Sequence, residues 1–109
     1  MREGTGSYRE FWPVYLRAHS RAGNRYLHVI GTSLGILLLA GAAGAGDWRL
    51  IPAAIAVGYA FAWAGHFFVE GNRPATFGHP LWSLISDFRM FGLALTGRLD
   101  GELRKHGLL

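Results

Sequence analysis

LHVIGTSLGILLLAGAAGAG at 27–46 and LIPAAIAVGYAFAWAGHFFV at 50–69 decide the fold. Each run is about 20 residues, the length a helix needs to cross roughly 30 Å of hydrocarbon. The turn between them, Gly46-Asp47-Trp48-Arg49, is very short. The small residues Gly41 to Gly46 allow close helix contact, and Gly31 with Gly35 forms a GxxxG pair. A chain of 109 residues is one domain, too small to surround two fully apolar helices with other protein. The first run starts near residue 27 and a second follows at once, so a cleaved signal peptide does not fit. The expectation is an all-α, integral membrane helical hairpin with two spans.

Composition supports this. Half of the residues are hydrophobic and 17% are charged, while the mean hydropathy is only +0.18. That middling value hides two populations. Val29 to Val69 carries two charges, Asp47 and Arg49, and the other sixteen lie outside it. Abundant Leu, Ile, Val and Phe exclude disorder. The absence of cysteine excludes disulfides and thiolate metal sites. The net charge of +4 and pI near 10.1 do not indicate nucleic acid. Arg17, Arg21 and Arg25 sit just before one span and Arg73 just after the other, which is the positive-inside pattern. It places both termini in the cytoplasm and the neutral turn outside.

Outside the hairpin the chain is amphipathic. Tyr8, Phe11, Trp12, Tyr15, Leu16 and His19 form one helical face, with Arg9, Glu10, Arg17 and Arg21 off it. This predicts an interfacial helix over 8–21, regular from about Trp12 so that Pro13 falls in its first turn. Gly23-Asn24 should break the helix before the first span. Pro80 opens a third helix over 80–97 that is re-entrant, interfacial or a short membrane span, and the tail from Thr96 is polar and frayed. The whole of 1–109 is one membrane domain. HSRAGNRYLH (19–28) and HFFVEGNRPATFGH (66–79) both place Asn-Arg between histidines, as chance alone can do.

Four histidines lie at the edges of apolar segments: His19, His28, His66 and His79. His28 is 19 residues before Asp47 and His66 is 19 after it. In a hairpin turning at Asp47 they sit at equal depth, about 28 Å from the turn. Glu70 shares the face of His66. The break at Gly23-Asn24 lets His19 fold back toward the same layer. Imidazoles with a carboxylate suit Fe(II), Zn or Mn. Asp87 is a candidate acceptor for an imidazole N–H, the bland alternative being an ion pair with a nearby arginine. Ser20, Ser33, Ser83 and Ser86 lack a nucleophile context, and GAAGAG lacks the ending of a phosphate loop.

FWPVYLRAHSRAGNRYLHVIGT (11–32) and GHFFVEGNRPATFGHPLWSLISDFRMF (65–91) together resemble the small membrane protein family that includes the fungal 2-hydroxy fatty acid dioxygenase. The shared pattern is H-x8-H, then H-x3-E, then N-R-P-A and a His-Pro. The resemblance implies an Fe(II) enzyme that uses O2 to shorten a 2-hydroxy fatty acid by one carbon. It implies His19, His28, His66 and His79 as iron-site residues with Glu70 adjacent. Arg25 and Arg73, with Asn24 and Asn72 beside them, are the candidates to hold the substrate carboxylate. Three other readings compete: a haem electron carrier with His28 and His66 as axial ligands, a zinc-dependent lipid hydrolase and a non-catalytic membrane adaptor. Oligomeric state is open, a homo-oligomer included.

Overall fold

A computed structural model describes residues 6–109 and is all-helical. Helix α1 is Tyr8–Arg17, α2 is Ala22–Ala45, and α3 is Leu50–Ala64 with a π-helical extension over Gly65–Glu70. A 3₁₀ turn at Ala75–Phe77 leads to α4, Pro80–Leu95, and α5, Leu99–Lys105.

Helices α2 and α3 pack antiparallel as the two runs predict, and the GxxxG pair lies in their contact. A Cβ on Gly31 would meet the Phe61 Cβ at 2.6 Å, and one on Gly35 would meet the Ala54 carbonyl oxygen at 3.3 Å. Gly46 ends α2 in the left-handed conformation (φ 65°) that favours glycine. Asp47 then accepts from the Arg49 backbone N–H (3.1 Å) and Nε (3.0 Å), closing the turn.

Helices α2 and α3 with its extension are 24 and 21 residues, long and apolar enough to cross a membrane. Only 17% and 22% of their most apolar windows are buried by the protein. A core helix of a water-soluble bundle would be mostly covered. Here Ile30, Leu37, Ile51 and Phe68 project outward.

The remaining helices form a second core beside the hairpin. Phe11, Trp12, Tyr15 and Leu16 of α1 pack on Met90 of α4 and Leu99 and Leu103 of α5. The aromatic stripe expected to meet the lipid interface is thus covered by α4 and α5. The polar tail is ordered for the same reason. A seven-residue helix is unstable alone, but burying Leu99 and Leu103 contributes about 1.5–3 kcal/mol each. Trp12 Nε1 also donates to Glu102 (2.7 Å), and the Arg89 guanidinium lies 4.0 Å over the Trp12 ring.

Boundaries depart from expectation at three places. Helix α1 starts at Tyr8, capped by Ser7, with Pro13 inside it; one turn forgoes a backbone donor. Gly23 and Asn24 do not break a helix but lie in the first turn of α2. The break falls at residues 18–21, where Arg25 Nη1 donates to the His19 and Ser20 carbonyls (both 2.8 Å). Helix α4 ends at Leu95, and it is polar inside and apolar outside: Ser83 and Ser86 are buried, while Leu81, Leu84, Ile85 and Phe88 are exposed.

Candidate metal centre

His19, His28 and His66 meet at the end of the hairpin opposite the turn. Their ring centroids form a triangle of 4.4, 4.5 and 5.0 Å, and all three residues are buried. One ligand atom from each lies within 4.8 Å of the others. His28 and His66 come together from equal distances along the hairpin, and the turn after α1 swings His19 onto them.

Each imidazole is held by its Nδ1. That of His19 lies 2.6 Å from the Tyr15 carbonyl oxygen, and that of His28 lies 3.0 Å from the Asn24 carbonyl oxygen. Carbonyls only accept, so both Nδ1 atoms carry the proton. The Nδ1 of His66 lies 2.7 Å from Asn72 Oδ1. Asn72 Nδ2 donates to the Ala18 carbonyl oxygen (3.0 Å), which fixes the amide orientation and makes its oxygen the acceptor. All three Nε2 atoms therefore keep a free lone pair. This is the arrangement by which metal-binding histidines are oriented and kept in one tautomer.

The donor set fits a metal ion. His19 Nε2 and His28 Nε2 are 3.1 Å apart although neither has a proton to share. Two lone pairs at that distance repel each other, and a metal ion held by both imidazoles would relieve that repulsion. Burial, and then the neighbouring His28 and His66, push His19 well below the ordinary imidazole range, which favours the neutral ring.

The other expected residues serve the frame. Glu70 accepts from the Arg21 backbone N–H (2.6 Å), from Ser20 Oγ (3.3 Å) and from Asn24 Nδ2 (3.4 Å), tying the end of α3 to the turn before α2. Asn24 is fully buried, and its Nδ2 also reaches the Ala18 carbonyl oxygen (3.4 Å). Asn24 sits so close to α3 that a Cβ on Gly65 would overlap its amide oxygen. The two Gly-Asn-Arg strings thus converge on one carbonyl, that of Ala18, and tie together the segments bearing all three histidines. Arg25 caps the turn after His19. Arg73 lies 5.4 Å over Phe77.

His79 is not brought to the other three. It stacks on Trp82 (4.9 Å) and meets the edge of Phe11 (5.3 Å). Asp87 accepts from the Tyr15 hydroxyl (2.5 Å), not from an imidazole, and the arginine near it, Arg89, pairs instead with Glu102 (3.8 Å). Burial pushes Asp87 up to about 6, against the lowering by the Tyr15 hydrogen bond. Tyr15 was not singled out beyond its place in the stripe, yet it stacks on His19 (4.0 Å) and supplies the carbonyl that orients it. The π-helical extension was not foreseen either. Gly71 (φ 76°) closes it and lets Asn72 return beneath His66; the Gly-Asn pair was the available signal.

No curated protein and no solved structure is significantly similar to the chain. The family model described as 2-hydroxy-palmitic acid dioxygenase Mpo1-like matches residues 5–99, most of the chain, and the protein belongs to that family.

Proposed function

We propose that the protein is a membrane-embedded, non-haem Fe(II) dioxygenase that converts a 2-hydroxy fatty acid to the acid one carbon shorter. One observation carries the metal reading: three buried imidazoles whose Nδ1 atoms are all spent on oxygen acceptors and which bring one ring nitrogen each within 4.8 Å of the others. The family description supplies the reaction and the substrate class. His19, His28 and His66 would hold the iron through Nε2, which leaves positions for the hydroxyl and carboxylate of the substrate and for O2.

Iron in this site supplies activation of O2 beside a chelated 2-hydroxy acid. The chain's own residues keep the ligand set rigid. Tyr15, Asn24 and Asn72 hold the imidazoles in one tautomer, and the stacked Tyr15 ring keeps water from the outer face of His19. The overall change, RCH(OH)COOH + O2 to RCOOH + CO2 + H2O, balances without an external reductant. Haem is disfavoured, because His19 stands within 4.5 Å of both rings between which a porphyrin would have to fit.

In this reading α2 and α3 span the membrane with the turn outside and both termini in the cytoplasm, by the placement of Arg17, Arg21, Arg25 and Arg73. Helix α4 lays Leu81, Leu84, Ile85 and Phe88 against the acyl region without crossing it. The test is metal analysis of detergent-purified protein with a product assay under air and under nitrogen. Stoichiometric iron and O2-dependent formation of the shortened acid are expected. Equal conversion under nitrogen would exclude a dioxygenase.

A further inference from the structure

An apolar groove of about 120 Å³ runs between α2, α3 and α4 on the turn side of the histidine layer. Its floor is Gly31, Gly35, Ala54 and Gly58. These residues bring the two spanning helices together and leave a furrow where side chains would otherwise stand. Ile36, Leu39 and Ile55 form the walls toward the turn, and Leu84 and Phe88 of α4 close the side.

The two ends of the groove differ. Gly31 is one helical turn beyond His28, and Asp87, the one charged side chain in the lining, is bonded to Tyr15, which stacks on His19. That end lies one helical turn from the histidine layer. The other end, at Leu39, lies about 12 Å further along α2 and is purely aliphatic. The groove therefore leads from the polar layer into the depth of the hairpin. This is the course of a fatty acid whose carboxyl end sits among headgroups and whose chain points to the bilayer centre.

We propose that this groove is the acyl-chain subsite of the substrate, with the 2-hydroxy acid end at the histidine layer and the chain end between Leu39 and Ile55. Naming the 2-hydroxy acid as occupant rests on the function proposed above. The occupant is a single unbranched chain: the floor of glycine and alanine admits methylenes, and the polar side chains of the lining, Thr32, Tyr59 and Asp87, are absent from its Leu39 and Ile55 end. Leu39 and Ile55 then act as the ruler for chain length. Both are partly exposed, so larger side chains are accommodated there without repacking the helix contact.

The probe is 2-hydroxyhexadecanoic acid with a photoreactive diazirine at its chain end, added to the full-length protein in detergent micelles. Adducts mapped by mass spectrometry are expected at Ile36, Leu39, Ala54 and Ile55, and excess unlabelled 2-hydroxyhexadecanoic acid should suppress them at least tenfold. Adducts spread over the outer face of α2, including Leu37, or undiminished by the competitor, would overturn the subsite. In a second arm, Leu39→Trp and Ile55→Trp are expected to lower the long-chain to short-chain turnover ratio at least tenfold, with Leu37→Trp unchanged. An unaltered ratio in both ruler variants would also overturn it. Competed labelling in the groove without any turnover supports the subsite while removing the dioxygenase reading. Turnover with labelling elsewhere removes the subsite and leaves the reaction.

Discussion

The two ends of the hairpin treat polar residues in opposite ways. At the turn, Asp47 and Arg49 pair at 3.0 Å on the surface, where their partner could equally be water or a headgroup. At the other end Asn24, His19, His28 and His66 are buried, and each is fixed by a hydrogen bond to a named partner while the imidazole Nε2 atoms stay free. Exposed ion pairs contribute little, whereas a buried polar network specifies one arrangement and is costly to disrupt. Polarity at the turn is punctuation in the chain; polarity at the histidine end is machinery.

The sharpest way to break this contrast is to remove a ligand. His28→Ala and His66→Ala are each expected to abolish stoichiometric iron while the protein still purifies as a folded, helical species. Circular dichroism and metal analysis on the same sample check this. Full occupancy in both variants would dissolve the proposed centre. Asn72→Ala comes next. It frees His66 from its Oδ1 acceptor and cuts the tie to Ala18, so metal affinity should fall about 10–100-fold, as for other residues that orient metal ligands. Competition with a chelator reads the shift.

Glu70 tests the frame at one remove from the metal. Glu70→Gln keeps an oxygen for the Arg21 backbone N–H, so the loss is the charge assistance, about 1 kcal/mol of stability, with iron retained. Glu70→Ala should lose more, because three donors are then left without their acceptor. If Glu70→Gln removes iron outright, the carboxylate is a ligand and the frame role is wrong.

The hairpin was legible because span length and the count from Asp47 are local quantities. Equal spacing of His28 and His66 about the turn needs no knowledge of packing. What stayed hidden depends on contacts across the chain. Trp12 and Glu102 meet across 90 residues, and nothing periodic in 99–105 announces that partner. Asn24 and Asn72 are carboxylate candidates by sequence, and the neighbour the fold gives both, the Ala18 carbonyl, is a backbone atom with no mark in the sequence. The repeated Gly-Asn-Arg string was visible, but its meaning required the π-helical turn that brings Asn72 under His66. His79 sits in the same motif as the others, yet its position at the start of α4 turns it toward Trp82.

Asp87 gives a smaller, pH-dependent effect that leaves the metal untouched. Its ordinary value of 3.8 rises to about 6 in the folded protein, so folding favours the protonated carboxyl. That contribution is complete below the ordinary value and is lost as pH rises through about 6. Asp87→Asn should flatten the melting temperature between about pH 4 and pH 7 and raise it at the upper end, since a neutral amide can still accept from Tyr15. Superimposable profiles for the two proteins would show that Asp87 is not desolvated.

The smallest effect is expected at the turn itself. Asp47→Asn removes the charge from the pair but keeps an oxygen for the Arg49 backbone N–H, and Gly46 still supplies the left-handed residue that reverses the chain. The Arg49 partner holds the Asp47 carboxyl below its ordinary value, but the pair lies at the surface and solvent screens the interaction. Iron content, chelator competition and melting temperature should all match the parent. Gly46→Val is the matched positive control. It keeps every charge and places a β-branched residue at φ 65°, which is strained for any such side chain. If Asp47→Asn lowers iron content as Asn72→Ala does, the two ends of the hairpin are coupled along its length, and the division between punctuation and machinery does not hold.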